Sequence, residues 1–227
     1  MWKAFSQAFE LIFSGNILLG EIVGTTLQMA FSSSLLALVF GVPIGVLVAT
    51  SHFHGKKFIV VLIRTLMGLP PVVIGIVLYV LFSGTGPFGS LRLVYSVELM
   101  VIAQVCLITP IVAGMTETYV SSIAPPILET AKGLGLNKFK VQFLTINESK
   151  YQIIAIYLFA FARAISEVGA VQIVGGNILH KTRVMTTTIA LNYNTGQFTY
   201  AIALGIILLL IALSVNLIAS LLQRRTK

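Results

Sequence analysis

The chain has 227 residues, of which 57% are hydrophobic and only 10% are charged, with a mean hydropathy of +0.97. A soluble domain carries about a quarter charged residues, so a chain this apolar is predicted to be an integral membrane protein. The net charge of +8 does not indicate nucleic-acid binding, because the basic residues lie in short stretches between apolar runs and not on a soluble basic face.

The first predicted element is an amphipathic helix within residues 1–20 that lies on the membrane interface. Its apolar residues recur at helical spacing: Trp2, Phe5, Phe9, Ile12 and Phe13. A cleaved signal peptide is the alternative. Lys3, Gln7 and Glu10 interrupt the apolar run that a signal peptide requires, which disfavours that alternative.

Five apolar segments follow, each long enough for the roughly 20 residues with which a helix crosses a bilayer. They are residues 22–50, 58–83, 98–119, 151–174 and 200–222. The first is long enough to be tilted or to project beyond the membrane. We therefore predict an all-α membrane protein with one domain and five transmembrane helices.

Prolines interrupt three of these segments, and we expect kinks whose freed carbonyls are satisfied by neighbouring helices. The positions are Pro43, the pair Pro70 and Pro71, and Pro110. Gly41 and Gly45 lie four residues apart, a spacing that lets another helix pack closely against them.

The basic residues predict the orientation of the chain. If residues 120–150 are cytoplasmic, nine basic residues lie inside: Lys56, Lys57, Lys132, Lys138, Lys140, Lys150, Arg224, Arg225 and Lys227. Four lie outside: Lys3, Arg92, Lys181 and Arg183. Because positive charge accumulates on the cytoplasmic side, the N-terminus is predicted outside and the C-terminus inside.

Segment 120–150 has the composition of two short helices at a sharp angle on the inner face of the membrane. Pro125 and Pro126 cannot extend an upstream helix but suit the start of a new one, whose first turn then holds Glu129. Two glycines end this helix, Gly133 and Gly135. A second amphipathic stretch begins with Phe139, Phe143 and Leu144.

Glu129-Thr130-Ala131, three further residues and then Gly135 resemble the "EAA…G" cytoplasmic loop of ABC-importer permeases. The pattern alone is short and also fits an ordinary interfacial helix, but its place before the penultimate of five spans is that of the family loop. The resemblance implies that a coupling helix carrying Glu129, Ala131 and Gly135 docks into a groove on an ATPase. Asn147 and Glu148 stand where the family usually has Leu-Pro.

Three stretches in and after the fourth span carry a narrower resemblance: residues 161–170, 175–178 and 182–183. They are similar to the oxyanion branch of these permeases, which comprises sulfate, molybdate and tungstate systems. Residues 166–168, 173–177 and 186–188 most resemble the tungstate type, as do 69–73 and 83–87. The implied function is tungstate import, with molybdate or sulfate import as alternatives.

The resemblance also implies the type I importer permease fold and the partners of the chain. These are a second copy in a homodimer, cytoplasmic ATPase subunits that bind ATP and magnesium, and an extracytoplasmic oxyanion-binding protein, all at the plasma (inner) membrane. A secondary transporter driven by an ion gradient is the alternative. It would require internal repeats with paired broken helices, and the sequence shows no convincing repeat.

We expect no catalytic centre, cofactor or metal site in the chain itself. It has no Gly-x-x-x-x-Gly-Lys-Ser/Thr stretch, no Asp, and one cysteine, Cys106, which is expected to be buried in an apolar run. His52 and His54 fit a solvated loop better than a metal site. A membrane-embedded enzyme is disfavoured for the same reasons.

Arg163 and Glu167 are costly in lipid. If the fourth span enters at Tyr151, Arg163 lies about 18 Å into the membrane at 1.5 Å per residue, where a lone charge costs roughly 2.5–3.5 kcal/mol. A spacing of four places the two side chains on one helix face, where they can neutralise each other. They are expected to line the translocation pathway or dimer interface, or to form a structural ion pair.

Six further residues are candidates for a polar lining: Ser166, Asn177, Thr182, Thr186, Thr187 and Thr188. The alternative for the threonines is hydrogen bonding of their hydroxyls to helix carbonyls.

Overall fold

In a computed structural model, the protein is described over residues 2–224, with side chains described for all of these except 2–5, 132, 138 and 222–224. Arg225 and Lys227, counted in the charge comparison, lie outside the described residues. The described part contains one short 3-10 helix (Gly89–Leu91) and ten α-helices: α1 (Trp2–Phe13), α2 (Ile17–Thr50), α3 (Lys56–Met67), α4 (Pro71–Phe82), α5 (Val97–Gly133), α6 (Lys138–Glu148), α7 (Lys150–Ile165), α8 (Gly169–Gly175), α9 (Met185–Asn194) and α10 (Phe198–Arg224).

Three helices are each long and apolar enough to cross a membrane: α2, α5 and α10. Two bent pairs each count as one further span, so the described residues hold three to five spans. Helices α3 and α4 meet at 93°, and α7 and α8 meet at 58°. The first bend coincides with the predicted kink at Pro70. The second divides the apolar segment 151–174 into two helices.

The prediction of a separate short helix starting at Pro125 and Pro126 is wrong, because α5 continues through both prolines to Gly133. These prolines free the carbonyls of Ser121 and Ser122, four residues earlier. Both serines are exposed, so water at the end of the helix can bond the freed carbonyls and the helix is not forced to break.

The predicted end of this helix is confirmed, since α5 stops at Gly133 and Gly135 adopts a left-handed φ of +64°. The predicted second amphipathic stretch is also present, as α6. Its first turn is capped by Asn137, whose Oδ1 accepts a hydrogen bond from the Lys140 amide at 2.9 Å.

The N-terminal helix is shorter than residues 1–20. It ends at Phe13, Gly15 turns the chain with φ +66°, and the Asn16 side chain caps α2 by accepting from the Leu19 amide at 3.0 Å. Helix α1 packs on α10, with Ala8 fully buried. Contact with another helix therefore fixes α1 within the chain.

Helices α2 and α5 make the most extensive contact between two helices of the described residues, and they approach closely at Gly41 and Gly45, as the spacing of these glycines predicts. A Cβ on Gly41 would lie 2.7 Å from the Val112 side chain, and one on Gly45 would lie 2.6 Å from the Ala113 carbonyl oxygen. These glycines bring the two backbones together, so that dispersion contacts hold the pair where the hydrophobic effect of water is absent.

The second halves of the two bent pairs, α4 and α8, also pack against each other. A Cβ on Gly75 would lie 2.9 Å from the Ala170 Cα, and one on Gly169 would lie 2.9 Å from the Val72 side chain. The chain thus contains two broken apolar segments whose second halves are in contact. No such pairing was evident from the sequence.

Contacts between distant residues group the loops at two ends of the molecule. At one end His180 Nδ1 lies 2.8 Å from Glu21 Oε2, and the Tyr95 amide donates to the Val174 carbonyl at 2.9 Å. At the other end, a cavity is lined by residues from the ends of α2 and α5 and from α6, including Leu47, His52, Leu128 and Val141. The loops that meet at each end are the ones that the charge comparison assigned to the same side of the membrane.

Helix α2 offers a matched test of its close packing. We expect Gly45→Ala to destabilise the protein by about 1–3 kcal/mol, because the added methyl overlaps the α5 backbone. Gly24→Ala is the control: among the described residues no heavy atom lies within 4 Å of a Cβ built there, so the change should be neutral or gain up to about 1 kcal/mol of helix propensity. Thermal unfolding in detergent measures both, and equal effects would contradict the packing.

Candidate functional site

The break between α7 and α8, at residues 166–168, is the centre of the polar interior. A helix that breaks inside a membrane frees backbone groups, and each costs several kcal/mol unless another group bonds it. Here the freed carbonyls have partners. The Gln104 Nε2 donates to the Ala164 carbonyl at 2.8 Å, and the Thr186 hydroxyl donates to the Glu167 carbonyl at 2.7 Å.

Arg163 and Glu167 form an ion pair at this break. Arg163 Nη1 donates to Glu167 Oε2 at 2.8 Å, and the Glu167 side chain is only 5% exposed whereas that of Arg163 is 33% exposed. The second carboxylate oxygen accepts from the Ala170 amide at 3.2 Å and so caps the first turn of α8. The two side chains therefore neutralise each other, and Glu167 also bonds a backbone amide in the first turn of α8.

The four candidate threonines are buried, and their hydroxyls are bonded within the chain. Thr182 donates to the Gly175 carbonyl at 2.5 Å and accepts from the Ile178 amide at 3.0 Å, which closes the loop after α8. Thr187 donates to Asn177 Oδ1 at 2.9 Å. Thr188 donates to the Val184 carbonyl at 2.6 Å, the helix-carbonyl contact given as the alternative. Ser166 is exposed.

Two interhelical polar contacts involve residues that were not among the candidates. Gln104 of α5 is fully buried and accepts at Oε1 from the Ser33 hydroxyl of α2 at 2.5 Å. Glu117 of α5 is nearly buried, 3.9 Å from Arg64 Nη2 of α3. Arg64 and Glu117 are ionisable residues inside apolar segments, so the rule that selected Arg163 would have found them.

The three residues that resemble the coupling loop of ABC-importer permeases differ in their exposure to solvent. Glu129 is exposed at the end of α5, Ala131 is 1% exposed, and Gly135 lies in the turn after the helix. Beside them, Phe139 and Phe143 of α6 are 82% and 76% exposed, one helical turn apart. Exposed large apolar side chains clustered in this way are typical of an interaction surface.

Cys106 is exposed on α5 and not buried as expected. Its position in an apolar run fits either an interior or a lipid-facing residue, and in the folded chain it is exposed. Among the residues described, no group of three or more His, Cys, Asp or Glu side chains is arranged to hold a metal ion.

Comparison with known proteins finds similarity along the whole chain. The family described as binding-protein-dependent transport system inner membrane component matches residues 41–227. The tungstate uptake system permease protein of Peptoclostridium acidaminophilum is 35% identical over 97% of this chain and 97% of its own. The corresponding protein of Campylobacter jejuni is 33% identical over 99% of this chain and 94% of its own. Permeases described as carrying sulfate, or molybdate and tungstate, also match.

The same fold occurs in a solved structure. A chain of the MetNI methionine ABC transporter, in an inward-facing conformation, superposes with a TM-score of 0.73 at 15% sequence identity. The match covers 92% of this chain and 96% of that one.

A double-mutant cycle tests the ion pair at the break. Arg163→Met and Glu167→Gln each leave one unpaired charge, so we expect each alone to destabilise by about 3–5 kcal/mol and the double variant to cost less than their sum. The matched control is the cycle of Arg64→Met and Glu117→Gln, whose charged groups are 3.9 Å apart and should couple weakly. Thermal unfolding in detergent reports both cycles. Strict additivity at Arg163 and Glu167 would show that they are not energetic partners.

Proposed function

We propose that this chain, which belongs to the family of binding-protein-dependent transport system inner membrane components, is the permease subunit of an ATP-driven tungstate importer. It is an ABC-importer permease and not an enzyme, and ATP hydrolysis belongs to a separate subunit. The assignment of tungstate as the substrate rests on the similarity, over nearly the full chain, to two tungstate uptake permeases at 35% and 33% identity.

Molybdate or sulfate is the alternative substrate, because permeases described for those anions also match. Tungstate, molybdate and sulfate are all tetrahedral dianions, so a pathway with few fixed charges separates them poorly by charge. In this proposal most of the selectivity among the three anions resides in the extracytoplasmic binding protein, whose closed pocket can discriminate between anions of different size. An ion-gradient-driven transporter has no support from the family.

The proposed assembly contains two copies of the chain, cytoplasmic ATPase subunits that bind ATP and magnesium, and the oxyanion-binding protein. Each bent pair then counts as one span, which gives five spans per chain, with the N-terminus outside and the C-terminus inside the inner membrane. The loop charges support this orientation, and the contacts that group the loops at two ends agree with it. Five spans are few for a pore within one chain, which supports a dimer.

The proposed contact with the ATPase is the end of α5 together with α6. Buried Ala131 anchors this segment in the chain, while exposed Glu129 and the turn at Gly135 face the partner. Exposed Phe139 and Phe143 add apolar area at the same end. Because α5 is one continuous helix from Val97 to Gly133, a displacement of this end is transmitted along α5 into the membrane.

The proposed pathway runs beside the two helix breaks. Helices α4 and α8 are in close contact and each follows a bend, so they can pivot together while α2 and α5 stay packed. Arg163 is partly exposed beside Ser166 and offers a compensated positive charge to a passing anion. In this proposal the buried threonines and Asn177 line the loop that holds α8 and α9 in place.

The coupling assignment is tested by placing a charge at the turn. We expect Gly135→Asp to reduce uptake and binding-protein-stimulated ATP hydrolysis at least about tenfold while membrane yield persists, because φ of +64° favours glycine and the new carboxylate stands at the contact. Gly133→Asp is the control, since it adds the same charge two residues earlier without the left-handed backbone. Normal uptake and hydrolysis in Gly135→Asp would contradict the assignment.

The substrate is tested in proteoliposomes containing the chain, its ATPase and its binding protein. We expect uptake of labelled tungstate at submicromolar concentration, with poor competition by a large excess of sulfate, because the binding protein sorts the anions by size. Labelled molybdate and sulfate are measured alongside. Preferred transport of sulfate would assign the chain to sulfate import, and no uptake of any oxyanion would remove the substrate class.

A further inference from the structure

The carbonyl of Ala164 lies at the bend between α7 and α8. In an unbroken helix it would accept from the amide of Val168, four residues later. At the bend it accepts instead from the Glu167 amide at 3.3 Å and from Gln104 Nε2 at 2.8 Å. The shorter of these two bonds comes from another helix, α5. A side chain 60 residues away therefore bonds the carbonyl that is released at the bend.

Gln104 is fixed in orientation from its other side. The Ser33 hydroxyl donates to its Oε1 at 2.5 Å, which directs the amide nitrogen toward Ala164. Ser33 and Gln104 are both fully buried. A chain of hydrogen bonds thus runs from α2 through α5 to α7, and it starts on the helix pair that Gly41 and Gly45 hold together.

We propose that Gln104 is a positioning residue of the transport cycle. It holds the Ala164 end of the bend on the rigid α2–α5 pair, as the fixed point about which α8 turns, and because Arg163 directly precedes Ala164, it also sets where the Arg163 guanidinium stands. The effect on transport rests on the proposed function, whereas the effect on the bend does not. A fully buried amide in an apolar interior is costly unless bonded, and here both ends of the amide are used.

The test is a graded series in the assembled transporter. Gln104→Leu keeps the approximate volume and removes both bonds. Ser33→Ala removes the bond that orients the amide but leaves the donor to Ala164. Ser34→Ala is the matched control, a buried serine of the same helix whose hydroxyl donates to the Phe31 carbonyl one turn earlier at 3.1 Å.

Two readouts are needed, because lost packing alone would also lower activity. The first is the number of oxyanions imported per ATP hydrolysed, with labelled tungstate as the probe. The second is hydrogen exchange of the amides at residues 165–170, compared with those of α2. For Gln104→Leu we expect uptake per ATP to fall and exchange at 165–170 to rise, each about tenfold, the factor that two interhelical membrane bonds can supply. Ser33→Ala should be intermediate and Ser34→Ala unchanged.

Native exchange at 165–170 in Gln104→Leu would overturn the proposal, as would exchange that rises equally in α2, since that result indicates general loss of packing. A native ratio of uptake to hydrolysis in Gln104→Leu would also overturn it. If the native complex imports no oxyanion, the substrate proposal fails, and the exchange series alone still decides whether Gln104 positions the bend.

Discussion

A backbone carbonyl released from a helix within a hydrocarbon layer has no water to bond, and the interior of this protein is arranged around that constraint. At the bend between α7 and α8, partners for the released groups come from α5 through Gln104, from α9 through Thr186, and from the carboxylate of Glu167. Gln104 and Thr186 lie on other helices, which must be in register for these bonds to form. The bend therefore depends on the folded chain as well as on the local residue Glu167.

Close packing supplies the fixed part of the molecule. The glycines of α2 bring its backbone against α5, and Gly75 brings α4 against α8. One pair contains uninterrupted helices and the other contains half-helices that each follow a bend. In the proposed function, α5 carries the coupling end while α4 and α8 border the pathway, so this division separates the two roles. The polar bonds at the bend connect the two pairs.

Hydropathy and residue spacing were sufficient to predict an all-α membrane protein, the close approach at Gly41 and Gly45, and the end of α5 near Gly135, because these features depend on local sequence. The course of α5 through Pro125 and Pro126 was not predictable in this way, since it depends on exposed carbonyls at the helix end. The bend at residues 166–168 contains neither proline nor glycine, and its partners lie at residues 104 and 186. The burial of the threonines likewise depends on α9, which packs on α10.

The most direct test of this account is a pair of structures of the assembled transporter, one without nucleotide and one trapped with ATP. We expect the angle between α7 and α8 to differ between them, while the contact of Gly75 with Ala170 and the bond from Gln104 to the Ala164 carbonyl persist in both. That result would show α4 and α8 pivoting together against α2 and α5. Separation of α4 from α8, or an identical bend in both states, would contradict the account.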